Sequence, residues 1–73
     1  MTEQSDELVK LMAVATDMIM SEKLRSKSIE LIGDLGNHEA LLALLELAAN
    51  EKLTKKERQL SLKYANNIIK ASP

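Results

Sequence analysis

Apolar residues recur along this 73-residue chain every three or four positions, which places them on one face of an α-helix. No run of β-branched or aromatic residues alternates with polar ones as in a strand, and there is no Asn-Gly or Asp-Gly hairpin turn. The first helix is predicted from about Asp6 to Met20, with an apolar stripe of Leu8, Leu11, Met12, Ala15 and Ile19. The second is predicted from its cap, Ser21, to about Leu35, with a stripe of Leu24, Ser28, Leu31 and Leu35. We expect Gly33 and Gly36 to close it.

The third predicted helix is almost entirely Ala and Leu from Ala40 to Ala49, interrupted only by Glu46. Asn37 is a preferred N-cap, and the helix should end near Asn50. Because it has no polar face, it should lie between neighbours and be buried on most sides. Its inward residues are expected to contact the second and fourth helices and also the first; they are Leu41, Leu44, Leu45 and Ala48.

The fourth predicted helix begins with the capping box Thr54-Lys55-Lys56-Glu57. In such a box Thr54 and Glu57 satisfy each other's free backbone N–H groups. The helix should continue to about Lys70, burying Leu60, Tyr64, Ala65, Ile68 and Ile69.

The two halves of the chain match each other when the sequence is shifted by 33 residues. Identical residues then coincide, namely Leu8 with Leu41, Leu11 with Leu44, Ala15 with Ala48, Lys23 with Lys56, Arg25 with Arg58 and Ser28 with Ser61. Similar residues also coincide, among them Ser21 with Thr54 and Ile29 with Leu62. A period in the thirties with two helices per unit is typical of α-solenoids.

The stretch from Leu24 to Leu45, LRSKSIELIGDLGNHEALLALL, resembles a HEAT-like repeat of the bilin-lyase type. Its features are an Arg opening one helix, a glycine-containing turn and an Ala/Leu-rich second helix, and Arg58 resembles the opening of the next unit. The resemblance covers roughly residues 6–70, although Ser28 and Ser61 stand where the family usually has Ala. It implies an all-α fold of four antiparallel helices, forming about two HEAT-like repeats in a short right-handed superhelix.

This resemblance also implies a role in protein binding or scaffolding. Only certain family members take part in attaching bilins, so an accessory subunit of a cofactor-attaching enzyme is a further alternative. Solenoids generally need three or more units, each covering its neighbour. A chain of about two units must therefore have polar ends, dimerise or dock onto a larger partner.

Composition adds limits to this interpretation. Residues 6–70 are expected to form a single domain, with residues 1–5 disordered and residues 71–73 frayed. The chain has no cysteine, which excludes disulfides and thiolate sites. There is no signal-peptide pattern and no apolar run near the roughly 20 residues of a membrane span. We therefore expect a cytoplasmic location and no membrane partner.

Charge provides the candidate site. Arg25 and Arg58 open equivalent helices, where a positive charge opposes the helix macrodipole, so each should have a compensating contact. One interpretation is a hydrogen bond to the preceding turn, where Asp17 and Asn50 correspond. The other is a basic ridge for an acidic partner, formed by Lys23, Arg25, Lys27, Lys55, Lys56 and Arg58.

The same basic turns could instead contact nucleic acid. The formal net charge of −1 does not demand such a partner, and Tyr64 is the only aromatic residue, so a stacking platform for bases is missing. His38 is the only histidine and belongs to no metal or catalytic motif. We predict no catalytic residue, cofactor or metal, and a protein-interaction or scaffold module whose partner is another protein or a second copy.

Overall fold

The computed structural model describes residues 6–71. Within this part of the chain the elements are α1 (Asp6–Ala15), α2 (Glu22–Leu35), α3 (His38–Ala48) and α4 (Lys55–Ala71). The predicted all-α class with four helices is therefore confirmed for the described residues. The expected disorder of residues 1–5 and the last two residues of the expected frayed end, 72–73, lie outside them.

α1 ends at Ala15, so the prediction that it continues to Met20 was wrong. The hydroxyl of Thr16 donates to the carbonyl of Met12 at 2.8 Å, and Asp17 Oδ1 accepts from the backbone N–H of Ile19 at 2.9 Å. Such side-chain bonds to nearby backbone compete with the helical pattern. As a result Ile19, which was expected on the buried stripe, is 95% exposed in the connection to α2.

The helix caps agree with the sequence. Ser21 Oγ accepts from the N–H of Leu24 at 3.2 Å and caps α2. Gly36 follows α2 with φ of 63°, a left-handed conformation in which a side chain would be strained. Asn37 Oδ1 accepts from the N–H of Ala40 at 2.8 Å and caps α3. These polar contacts fix where α2 and α3 begin.

The buried side of α2 differs from the predicted stripe. Of the predicted residues Ser28 is buried and Leu35 half-buried, but Leu24 and Leu31 are exposed, and Arg25, Ile29 and Ile32 are buried in their place. Gly33 lies inside the helix and not at its end. A Cβ atom on Gly33 would lie 2.8 Å from Cδ1 of Tyr64, so this glycine allows α4 to approach α2 closely.

α2 packs extensively against each of the other three helices. α1 packs mainly against α2, and α3 lies against both α2 and α4. The largest buried apolar side chains are contributed by α1, α2 and α3, and they are Leu8, Ile29, Ile32, Leu44 and Leu47. The connection between the two helix pairs therefore runs through α2.

The expectation that α3 is buried on most sides was wrong. Leu42 and Leu45 are exposed, because α3 is flanked mainly by α2 and α4 and, within residues 6–71, no helix covers its remaining side. On α4, Leu60 and Tyr64 are half-buried and Ala65 and Ile68 are buried as predicted, but Ile69 is 55% exposed. Apolar residues on both α3 and α4 thus face outward.

Candidate functional site

A buried ion pair joins the first helix pair to the second. Arg25, in the first turn of α2, donates from Nε to Oε2 of Glu57, in the first turn of α4, at 2.9 Å. The Glu57 side chain is fully buried and that of Arg25 is 11% exposed. Removing one partner of such a pair is costly because the remaining charge stays in a low-dielectric environment. The contact therefore holds α4 in register with α2.

The remaining polar atoms of Glu57 are used by its own helix terminus. Oε1 accepts from the N–H of Thr54 at 3.0 Å, and Thr54 Oγ1 accepts from the N–H of Glu57 at 3.1 Å. The predicted capping box is confirmed. Both carboxylate oxygens of Glu57 are therefore hydrogen-bonded, one within the cap and the other across the helix interface.

Arg25 also supports the connection that leaves α1. Its Nη1 donates to the carbonyl of Met20 and to that of Asp17, the latter at 3.4 Å. This is the hydrogen bond to the preceding turn that the sequence suggested. Among the described residues no buried side-chain nitrogen or oxygen is without a hydrogen-bond partner. The Arg25–Glu57 pair is consequently a satisfied structural contact, with its charge directed into the fold.

The sequence reasoning missed this pair, yet a signal for it was present. Arg25 precedes Ser28, Ile29 and Ile32 at intervals of three, four and seven, so it lies on their face of the helix. Glu57 precedes Ser61, Ala65 and Ile68 at intervals of four, eight and eleven, which also lie on one face of a helix. Two opposite charges, each on the helix face that carries these small and apolar residues, indicate a buried pair.

Arg58 has a different environment from its sequence counterpart Arg25. Its Nε donates to the carbonyl of Ala48 at 2.9 Å, and the residue is half-buried. Within residues 6–71 it forms no ion pair. Both arginines thus compensate their unfavourable position with backbone carbonyls, but only Arg25 has a carboxylate partner.

The lysines predicted for the first basic turn lie beside α4. Lys23 and Lys27 line a shallow groove between α2 and α4, together with Leu60 and Tyr64. Lys27 Nζ donates to Glu30 Oε1 at 3.0 Å; this hydrogen bond and the charge of Glu30 raise the pKa of Lys27 above its ordinary value. Much of the positive charge of this turn is therefore neutralised locally.

The lysines of the second basic turn border a different groove. Lys55 and Arg58 line a depression with Ala48 and Leu62 on the side where α3 meets α4, and Lys56 is exposed beside them. Four of the six predicted basic residues therefore line two separate grooves, whereas Arg25 and Lys56 line neither.

The groove beside Lys55 and Arg58 continues into a mainly apolar one. We call this the α3–α4 groove; its apolar part consists of Leu45, Leu62 and Ile69, all exposed. Leu62 also lines the basic depression, so the apolar and basic parts are continuous. An uncovered apolar surface with a charged border is typical of a protein-binding site.

Residues 6–71 contain no group of three or more His, Cys, Asp or Glu residues placed to hold a metal ion. None of the helices in that range has the length and apolar character needed to cross a membrane. Compared with models of known protein families, with curated proteins and with solved structures, the chain matches none of them.

Proposed function

We propose that this protein is a non-catalytic protein-interaction module, built as a short HEAT-like stack of about two helical units. Its partner is another protein, which docks against the α3–α4 groove and the exposed basic turn at its edge. The observation that carries the proposal is the exposure of Leu62 and Ile69, each 55% exposed, next to Lys55 and Arg58.

Exposure of this kind is costly unless a partner covers it. Transfer of apolar surface out of water is worth about 25 cal/mol per Å². A Leu or Ile side chain that remains exposed contributes little of this free energy to folding. Single exposed apolar residues are nevertheless common in proteins. Here Leu45, Leu62 and Ile69 line one continuous groove, which favours a binding surface over scattered exposure.

The two-unit HEAT-like arrangement is supported by the 33-residue correspondence. Ser21 and Thr54 correspond in sequence, and each accepts a hydrogen bond from the N–H three residues later. Arg25 and Arg58 correspond, and each donates to carbonyl groups preceding its helix. In a stack of repeated units the outer face of the last one is uncovered, and we assign that position to the α3–α4 groove.

The non-catalytic part of the proposal rests on where the buried charges point. Arg25 and Glu57 use their polar atoms on each other and on backbone groups, so neither is aimed at a cleft. The exposed Lys55 and Lys56 can attract an acidic partner by their charge, without catalysing a reaction. We expect these two charges mainly to increase the rate of association. This effect should become weaker as the salt concentration rises.

Affinity capture from extracts of the cells that make the protein tests this function. The wild-type chain is compared with the double variant Lys55→Glu and Lys56→Glu. Both residues are exposed and lie at the N-terminus of α4, where an acidic residue favours the helix dipole, so the fold should be kept. A partner captured by the wild type should be lost or strongly reduced with this variant.

The matched control carries the same change of charge elsewhere, at Lys10→Glu and Lys52→Glu, two other exposed lysines. It should capture the partner as well as the wild type does. Equal capture by all three chains would show that the basic turn is not used. Recovery of no specific protein by the wild type would contradict the proposed function itself.

A further inference from the structure

We propose that the α3–α4 groove accepts an amphipathic helix of another protein that carries a glutamate, and that this glutamate pairs with Arg58. This inference rests on the proposed function and names the chemistry of the docking segment. It also assigns Arg58, instead of the neighbouring lysines, as the residue that sets the register of docking.

Two corresponding apolar residues have different surroundings in the two halves of the chain. Ile29 of α2 and Leu62 of α4 coincide under the 33-residue shift. Ile29 is fully buried, because α2 is covered by the other helices, whereas Leu62 is 55% exposed. The side of α4 that carries Leu62 therefore has the apolar character of a packed position and lacks the helix that would pack on it.

The two corresponding arginines also differ in their charge partners. Arg25 receives its carboxylate from α4, the element that packs against α2 from the second half of the chain. Arg58 stands at the corresponding place on α4 and, within residues 6–71, has no carboxylate partner. A helix that covers the α3–α4 groove as α4 covers α2 would bring an acidic residue to Arg58. Arginine is suited to this because its planar guanidinium keeps several donors in fixed geometry.

A second copy of this chain does not supply that chemistry. If a copy stacked its first half onto the groove, the residue corresponding to Glu57 would be Leu24, which has no charge. If two copies met groove to groove, the basic side chains of one copy would face the same basic side chains of the other, namely Lys55, Arg58 and Lys63. Like charges across an interface oppose association. Because neither arrangement of a second copy supplies the carboxylate, we assign the glutamate to a different protein.

The sequence of α4 itself provides a suitable probe, since Glu57 of α4 already makes the equivalent contact with Arg25. The probe is a synthetic peptide of residues 54–71 in which Lys55, Lys56 and Arg58 are replaced by Gln, so that it does not repeat the like charges that oppose association. It is held helical by a hydrocarbon staple between positions 59 and 63. Both positions are exposed in α4 and lie away from its Glu57–Ser61–Ala65 face. Circular dichroism establishes that the peptide is helical before use.

The experiment follows backbone amide signals of the isotope-labelled full chain while the peptide is added to millimolar concentration. We expect signal shifts at Leu45, Arg58, Leu62 and Ile69. Glu57→Gln in the peptide should weaken binding about tenfold or more, because a charge-assisted hydrogen bond is lost while the full chain is untouched. Arg58→Gln in the chain should produce the same loss, whereas Lys10→Gln, the same change of charge on exposed α1, should not.

Several results would overturn the inference. These are no shifts at millimolar peptide, shifts confined to other surfaces, or equal affinity for the Glu57→Gln peptide. Shifts at Leu62 and Ile69 that depend on the concentration of the chain alone would identify a second copy as the occupant and equally overturn it. If cell-extract capture depends on Lys55 and Lys56 while the peptide fails to bind, only this inference fails and the proposed function stands.

Discussion

Removing the carboxylate of Glu57 is the sharpest test of how the two helix pairs are held together. Glu57→Ala leaves the guanidinium of Arg25, whose side chain is 11% exposed, without its ionic partner. It also removes the acceptor for the backbone N–H of Thr54. Two buried or partly buried donors are thereby left unsatisfied at the contact between α2 and α4.

The expected cost follows from the burial. Breaking a buried ion pair by deleting one partner destabilises a protein by about 3–5 kcal/mol. Domains of this size have a free energy of unfolding near the low end of about 5–15 kcal/mol. Glu57→Ala should therefore remove most of the stability, and the variant should be partly unfolded at 37 °C.

The assay is urea unfolding followed by circular dichroism at 222 nm, with the single variants Glu57→Leu and Arg25→Met and the double variant Arg25→Met, Glu57→Leu measured alongside Glu57→Ala. Each single change leaves one buried charge, but the double change leaves none. Since well-packed apolar replacements of a buried pair are often close to neutral, the double variant should be more stable than either single variant.

Two results would refute this reasoning. One is a loss of less than about 1 kcal/mol for Glu57→Ala, the magnitude typical of an exposed pair. The other is a double variant whose cost equals the sum of the two single costs, which would mean that Arg25 and Glu57 do not interact.

Three further predictions concern other parts of the fold. Leu44→Ala, at a fully buried position of α3, should cost about 2–5 kcal/mol in urea unfolding, and an unchanged midpoint would show that α3 is not part of the core. Gly33→Ala should lower the melting temperature despite the better helix propensity of Ala, because its Cβ would lie 2.8 Å from Cδ1 of the Tyr64 ring. In a Tyr64→Ala background, which removes the ring and keeps only the contact with Cβ at 3.0 Å, the same change should cost clearly less; an equal loss in both backgrounds would contradict the clash. Glu30 raises the pKa of Lys27, so the small stabilisation from this pair is present below the ordinary lysine pKa and is lost as the pH rises through the raised value. In an NMR titration the pKa of Lys27 should fall when Glu30 is replaced in Glu30→Gln. An unchanged pKa would show that the two side chains do not interact.

Local signals in the sequence were enough to predict most helix ends. Ser21, Asn37 and Thr54 cap the helices that they were expected to cap, because capping depends on residues within three positions of each other. The end of α1 was missed for a similar local reason. Thr16 and Asp17 hydrogen-bond to backbone near them and stop the helix, although the apolar pattern continues to Met20.

Predictions about which face is buried were less successful, because burial depends on neighbours that helical periodicity does not specify. Leu24 and Leu31 were expected inside and are exposed, while Arg25 lies inside because Glu57 neutralises it. Ile69 was expected inside and is exposed because α4 has no neighbour on that side. The ion pair of Arg25 joins residues 32 positions apart, so the sequence could indicate that each charge is buried, but the contact between them depends on how α2 and α4 pack.

The exposure of Leu62 in the free chain and in the complex tests the central claim most directly. A soluble paramagnetic agent broadens methyl signals in proportion to their access to solvent, and the methyl groups of Leu62 can be compared with those of buried Ile29 and exposed Leu31. We expect strong broadening at Leu62 and Leu31 in the free chain, and selective protection of Leu62 when the stapled peptide is added. Protection of Leu62 in the free chain, or unchanged broadening at saturating peptide, would contradict this claim.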